Sequence, residues 1–196
     1  MLGRYTYGDG MNAVRDAELM TRVRSGDREA FAQLVDRHKD GLVNYLTGLT
    51  RSRDRAEELA QESFLRLYQH SVRYREQGQF VPFLFRIATN LLRSEERRAR
   101  RWRFLSMKFP SNGHDPGPTP QGRLLTEEAN EQVTRALAEL PLTYRSPLVL
   151  REIEGWSYRD IASALGCGEG TVKSRINRGR TRLRHLLSPY WHGGQG

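Results

Sequence analysis

Between Pro110 and Pro120 the chain reads Pro-Ser-Asn-Gly-His-Asp-Pro-Gly-Pro-Thr-Pro, four prolines and two glycines in eleven residues. Proline fixes φ and lacks a backbone N–H, so neither a helix nor a central strand can run through this stretch. The 196-residue chain is thereby divided in two. Residues 104–123 read as a flexible linker, with one unit at 15–103 before it and another at 124–188 after it. Fully extended, such a linker reaches roughly 66–72 Å. That is about two turns of B-DNA, at roughly 34–36 Å each. A plain connector with no spacing role fits the same residues.

Hydrophobic periodicity puts both units in one class. Asp27 is placed to cap a helix running to about Leu49, whose Phe31, Leu34, Val35, His38, Leu42, Val43, Leu46 and Leu49 fall mostly on one face. Asp54-Arg-Ala-Glu57 has the form of a capping box and opens a second helix striped by Ala56, Leu59, Ala60, Phe64, Leu67 and Tyr68. A third runs from about Pro82, acceptable in a first turn, to about Trp102. A short opening helix is expected near Ala17–Arg24. In the second unit a helix over Glu127–Leu140 stops at Pro141, and another begins at Pro147 with Ser146 as its cap and ends near Gly155. Two more, Ser157–Leu165 and about Glu169–Leu187, flank a Gly166-Cys167-Gly168 turn. No strand-like alternation persists. The expected fold is all-α, two small helical domains joined by a flexible linker. The segment up to about Val14 and the tail from Trp191 read as disordered, although Trp191 has the last helix within reach to dock on.

Charge narrows the partner. Residues 1–102 carry 19 basic and 14 acidic side chains, 103–130 carry 3 and 3, and 131–196 carry 10 and 6. All but Lys39, Lys108 and Lys173 of the basic residues are arginine. Nucleic acid is the default anion for such a chain. No stretch approaches the ~18 apolar residues of a membrane span, and residues 1–10 lack the apolar core of a signal peptide. A cytoplasmic protein is expected. The single cysteine, Cys167, excludes an internal disulfide framework and a Cys-rich zinc site. It reads more simply as a small buried turn residue than as a redox switch. The five histidines have no metal-ligand spacing, and no phosphate-cradling loop, acid pair or triad is present. Hence no catalytic, cofactor or metal site is assigned, and no enzymatic role.

Trp156-Ser-Tyr-Arg-Asp-Ile-Ala-Ser-Ala-Leu-Gly166, followed by Gly168-Glu-Gly-Thr-Val-Lys-Ser-Arg-Ile176, fits a helix-turn-helix. Ser157 caps the first helix, Ile161, Ala162 and Leu165 form its buried side, and Gly166 permits the tight turn. On the second helix Val172, Ile176 and Leu183 share a face with Gly179. The opposite face carries Lys173, Ser174, Arg175, Arg178, Arg180, Arg182 and Arg184. Arginine bonds guanine bidentately in the major groove, and the remaining cations can hold phosphates. Alone, this pattern suits any transcription regulator.

Glu57-Glu-Leu-Ala-Gln-Glu-Ser-Phe-Leu-Arg-Leu67 and Phe83-Leu-Phe-Arg-Ile-Ala-Thr-Asn-Leu-Leu-Arg-Ser-Glu-Glu-Arg-Arg98 resemble region 2 of bacterial RNA polymerase sigma factors. Leu140-Pro-Leu-Thr-Tyr-Arg-Ser-Pro-Leu-Val-Leu-Arg-Glu-Ile-Glu-Gly-Trp-Ser-Tyr158, running on through Gly170-Thr-Val-Lys-Ser-Arg175, resembles region 4. With no region 3 between them, the chain is similar to the extracytoplasmic-function group of the sigma-70 family. The resemblance covers roughly 15–102 and 125–187.

It implies an alternative sigma factor that binds core RNA polymerase, through the β′ clamp helices and the β flap, and directs initiation at promoter DNA. Glu58, Gln61 and Glu62 match positions that grip the clamp helices, and their spacing puts them on adjacent turns of one helix. Arg73, Tyr74, Arg75 and Phe80 match the loop that captures a flipped base of the −10 element, where stacking gives about 1–3 kcal/mol per base. Core packing is the plainer reading for at least one of Phe80, Phe83 and Phe85. Asn90, Arg93, Arg97 and Arg98 would face the upstream edge of the same element. Thr171, Lys173, Ser174, Arg175 and Arg178 would read the −35 element. An anti-sigma factor is an implied partner. The alternatives are a stand-alone helix-turn-helix regulator and a polymerase-binding interaction protein without initiation activity.

Overall fold

The computed structural model describes residues 10–74, 79–106 and 125–191. Its elements are α1 (Gly10–Arg24), α2 (Arg28–Thr50), α3 (Arg53–Gln69), a 3-10 turn (Ser71–Arg73), α4 (Phe80–Ser106), α5 (Leu125–Glu139), α6 (Leu142–Leu148), a π-helical turn (Val149–Ile153), α7 (Tyr158–Leu165) and α8 (Glu169–Trp191). The fold is all-α, with no strand among the described residues. Most of the linker and the outermost ends fall outside them.

Local chemistry sets most helix starts. Asp27 accepts from the N–H groups of Glu29 and Ala30, at 2.9 and 3.0 Å, and opens α2 as expected. These bonds, chiefly that from Ala30, and Arg22 beside it hold the Asp27 carboxyl below its ordinary range. The expected cap at Asp54 is a correction. Ser52 caps α3 by accepting from the Arg55 N–H at 3.2 Å, which leaves Asp54 in the first turn. The expected start at Pro147 is a second correction. α6 begins at Leu142, with the Tyr144 and Arg145 N–H groups bonded to the Pro141 carbonyl, so Ser146 is buried and Pro147 lies inside the helix. The π-helical turn follows directly, and the Glu154 N–H reaches the Val149 carbonyl at 3.1 Å. α1 and α4 run longer than their patterns foretold: α1 takes in residues 10–14, and α4 starts before Pro82 and extends to Ser106.

In the first bundle α2 packs on both α1 and α3, and α3 packs on α4. Its core is Leu34, Leu42, Leu46, Leu49, Leu67 and Leu84 with their neighbours. His38 lies within it as a packed histidine, its Nε2 2.9 Å from Asp16 Oδ2 of α1. In the second bundle α6 and α7 pack against α8 around Leu148, Leu150, Ile161, Val172 and Ile176. The apolar core is continuous between the bundles, because α7 lies along α4. Nothing in the periodicity of either unit signals that contact.

Tyr45 marks the junction. It is fully buried, and its hydroxyl is 2.8 Å from that of Thr89. Burial pushes its pKa from 10.0 up to about 12, against the hydroxyls of Thr89 and Ser146 and the charge of Arg93; Glu154 adds slightly to the rise. A folded-state pKa above the unfolded one leaves stability intact below pH 10 and removes it as pH climbs toward about 12. The melting temperature should therefore fall more steeply over that interval in the parent than in Tyr45→Phe. Equal slopes in the two proteins would contradict this account.

Candidate functional site

Three surfaces carry the residues singled out by sequence. The first is on α3. Glu58 and Gln61 are exposed and Glu62 is half-buried. Glu58 pairs with Arg55, which also bridges to Glu95 on α4, and Glu62 accepts from Arg66 Nε at 2.7 Å. Those carboxylates, Glu95 first and Glu58 second, raise the pKa of the Arg55 guanidinium. Glu58 and Gln61 line a groove of about 930 Å³ between α2 and α3, floored by Phe31, Val35, Phe64, Leu65 and Tyr68 and rimmed by Arg28, Lys39, Asp54 and Glu57. Glu62 does not line it. Leu65, 49% exposed, was missed by the sequence reading. Its signal was a leucine lying off the Leu59, Ala60, Phe64 and Leu67 stripe, since an apolar patch within a charged rim marks an interaction site.

The second surface is the start of α4. Arg75 lies outside the described residues, as does the side chain of Arg73. Tyr74 and Phe80 are buried, at 6% and 3% exposure. Tyr74 packs on Phe83 with ring centroids 5.0 Å apart, and Phe80 packs on His38 at 5.2 Å. In this conformation neither ring offers a face to a base. Core packing accounts for Phe80 and also for Phe85, which is completely buried; Phe83 is half-buried, with the Arg86 guanidinium 5.4 Å from its ring centre. Farther along α4, Asn90, Arg97 and Arg98 are exposed and Arg93 is half-exposed. Arg93 Nη1 donates to Asn90 Oδ1 at 3.1 Å, so the two act as neighbours on one face.

The third surface is the helix-turn-helix. Ser157 caps α7 by accepting from the Asp160 N–H at 3.1 Å. Gly166 ends α7 at φ +63, a left-handed conformation that favours glycine. The Gly168 carbonyl then accepts from the Thr171 and Val172 N–H groups and starts α8. Val172, Ile176 and Gly179 of α8 are buried, whereas Thr171, Lys173, Ser174 and Arg178 are exposed. Arg175 is half-buried, its Nη1 3.6 Å from Cys167 Sγ at the turn. Arg180 is exposed and donates twice to Glu152 Oε1, at 3.1 and 2.6 Å.

Gly179 permits α8 to approach α6. A β-carbon there would lie 2.6 Å from Leu148 Cδ1, 3.1 Å from Leu148 Cγ and 3.4 Å from the Tyr144 carbonyl oxygen. Gly179→Val should destabilise the second bundle by roughly 1–3 kcal/mol, the usual cost of overpacking. Urea unfolding measures it, and a midpoint equal to the parent's would refute the close-approach argument.

Comparison with known proteins places both bundles. The sigma-70 region 2 family model matches residues 34–103, and the sigma-70 region 4 model matches residues 130–183. The chain is 33% identical over 184 residues to the ECF RNA polymerase sigma-E factor of Haemophilus influenzae, covering 89% of this chain and 96% of that one. It is 31% identical over 183 residues to the RNA polymerase sigma-H factor of Pseudomonas aeruginosa, covering 89% and 95%. Among solved structures, it is similar to the sigma factor RpoE in complex with the anti-sigma factor NepR from Bartonella quintana. That match has a TM-score of 0.62 and 27% identity, and covers 81% of this chain and 96% of that one. CnrH, solved with the cytosolic domain of CnrY, shares the fold at a TM-score of 0.65 and 24% identity, covering 89% and 98%.

Proposed function

The chain belongs to the extracytoplasmic-function group of the sigma-70 family, as an alternative sigma factor directing transcription, and we propose a division of labour between its two bundles. Residues 15–103 bind core RNA polymerase and open the −10 element, residues 104–123 span the gap, and residues 124–188 read the −35 element. The observation that carries this is the pairing, in one chain, of two different surfaces. One bundle carries an apolar groove flanked by Glu58 and Gln61, suited to a protein partner. The other carries an exposed helix face with Lys173, Ser174 and Arg178, suited to the major groove.

On α3, carboxylates and Gln61 would meet the β′ clamp helices, and the β flap would hold the second bundle. Asn90, Arg93, Arg97 and Arg98 would hold the duplex edge, mostly through phosphates. Melting would come from trapping unstacked bases, at a cost of a few kcal/mol for each base that leaves the duplex. Arg73, Tyr74, Arg75 and Phe80 are the proposed trap, which requires Tyr74 and Phe80 to leave their buried positions. The chemistry of RNA synthesis stays with the polymerase, so the chain itself is not an enzyme. It would work in the cytoplasm beside that polymerase; no helix among the described residues is long and apolar enough to cross a membrane. The RpoE relative is held by an anti-sigma factor, and a partner of that class is proposed here.

Dependence on core polymerase separates this reading from a stand-alone regulator. Genomic fragments selected on the complex of chain and core should bind tightly to that complex and weakly to either component alone. Tight, sequence-specific binding by the chain alone would favour the regulator.

A further inference from the structure

The arginines of α8 are not alike. Arg180 is held by Glu152, to which it donates twice, and Arg175 by the Cys167 thiol. Ser174, Arg178 and Arg182 follow one another at intervals of four residues, so they rise along one face of the helix, and all three are exposed. Arg178 and Arg182 line an open pocket of about 430 Å³ together with Asn177, Thr181 and Tyr144 of α6. No carboxylate lines it. The Thr181 hydroxyl is already engaged, donating to the Asn177 carbonyl at 3.1 Å. The pocket thus offers two guanidinium groups, the Asn177 amide and the Tyr144 phenol, a set of donors that favours an anion.

Tyr144 does more than line the pocket. The Arg182 guanidinium carbon stands 4.8 Å from the centre of its ring. A ring face attracts a guanidinium without neutralising its charge, and stacking leaves the N–H groups at the guanidinium edge free to donate. An ion pair such as that of Arg180 with Glu152 uses those groups up. Stacking also holds a long side chain that would otherwise lose its rotamer freedom on binding. Gly179 makes the contact possible by letting α6 approach: its β-carbon position lies 3.4 Å from the Tyr144 carbonyl oxygen.

Position along α8 selects the anion. A helix-turn-helix reader contacts base edges with the first residues of its second helix. Arg182 comes 13 residues after Glu169, where α8 begins, which is about 20 Å at roughly 1.5 Å per residue. The major groove is only about 12 Å wide. With the first turns of α8 in the groove, Arg182 reaches the groove wall, where the sugar–phosphate backbone runs.

We propose that Arg182, Arg178, Asn177 and Tyr144 form a seat for a backbone phosphate of the promoter duplex beside the −35 element. Arg182 makes the contact, and Tyr144 is its positioning residue. The seat rests on the reading of α8 as the −35 reader. It adds α6 to the DNA-binding surface and fixes register without reading sequence.

The test measures binding of core polymerase carrying the full chain to a promoter duplex selected from genomic fragments, over a range of salt concentrations. Arg182→Ala should weaken binding about tenfold, by the same factor whichever base of the upstream element is changed. It should also lower the slope of log affinity against log salt by about 0.9, the share of one phosphate. Arg182→Lys should keep the slope, since the charge remains, and recover only part of the affinity. Tyr144→Leu should weaken binding about two- to fivefold with the slope kept, and Tyr144→Phe, which retains the ring, should restore that loss. Added to Arg182→Ala, Tyr144→Leu should cause no further loss, because its effect passes through Arg182. A tyrosine that only supported the fold would add its loss in full, so additive losses would overturn the role of Tyr144. An unchanged salt slope in Arg182→Ala would overturn the phosphate seat, and so would a loss confined to one base position. If no base change upstream of the −10 element alters binding by the parent, the −35 reading fails instead, while the salt slope still reports whether Arg182 meets a phosphate.

Discussion

Alanine at Glu58, Gln61 and Glu62 together should lower affinity for core RNA polymerase by about ten- to a hundredfold, equivalent to roughly 1.4–2.8 kcal/mol. The fold should not suffer. Glu58 and Gln61 are exposed, and the ion pairs of Glu58 and Glu62 lie at the surface, where such pairs are worth about 0–1 kcal/mol. Arg55 keeps Glu95 as a partner when Glu58 is gone. The three side chains are not equivalent. Glu58 and Gln61 line the apolar groove and Glu62 does not, so Glu62→Ala alone should be the mildest of the single changes. Circular dichroism checks helicity, and a pull-down or anisotropy titration with core checks affinity. Unchanged affinity in the triple variant would remove α3 from the polymerase contact and leave the groove to another partner.

A second large effect is expected on α8. Lys173→Ala, Ser174→Ala, Arg175→Ala and Arg178→Ala should divide into two behaviours when holoenzyme binding is measured on promoters changed one base at a time. A base reader loses about 1–3 kcal/mol at one position and relaxes specificity there. A phosphate holder weakens binding uniformly and lowers the salt slope by about 1. Lys173, Ser174 and Arg178 are exposed, whereas Arg175 is half-buried at the Cys167 turn. Arg175→Ala should therefore also loosen the turn and weaken binding at every position. If all four variants lose affinity uniformly, the face of α8 positions the protein without reading sequence, and the proposed −35 assignment fails.

What sequence could and could not disclose follows from the range of the forces involved. Asp27, Ser157 and Gly166 were legible because a cap or a left-handed turn is settled within a few residues. Ser52 was missed for a related reason: Ser52 and Asp54 are both good cap residues two positions apart, and the local pattern favoured the wrong one. Pro147 misled because a proline suits a first turn, whereas here α6 had already started at Leu142. Burial at the bundle junction was out of reach. Trp156 stands at the head of one motif and Phe85 inside another, and only the assembled structure brings their rings together. Aromatics among arginines were ambiguous in the same way. Tyr74 and Phe80 carry the chemistry of base stacking, yet the structure buries them against Phe83 and His38. Leu65 and the groove were invisible because a groove belongs to two helices, and periodicity describes one helix at a time.

Purified chain, reconstituted with core polymerase on genomic DNA, allows the starts of the transcripts to be mapped. Starts are expected downstream of one shared pair of elements, absent with core alone and lost when the α3 or α8 variants replace the parent. Stable complexes that yield no promoter-directed start would contradict it.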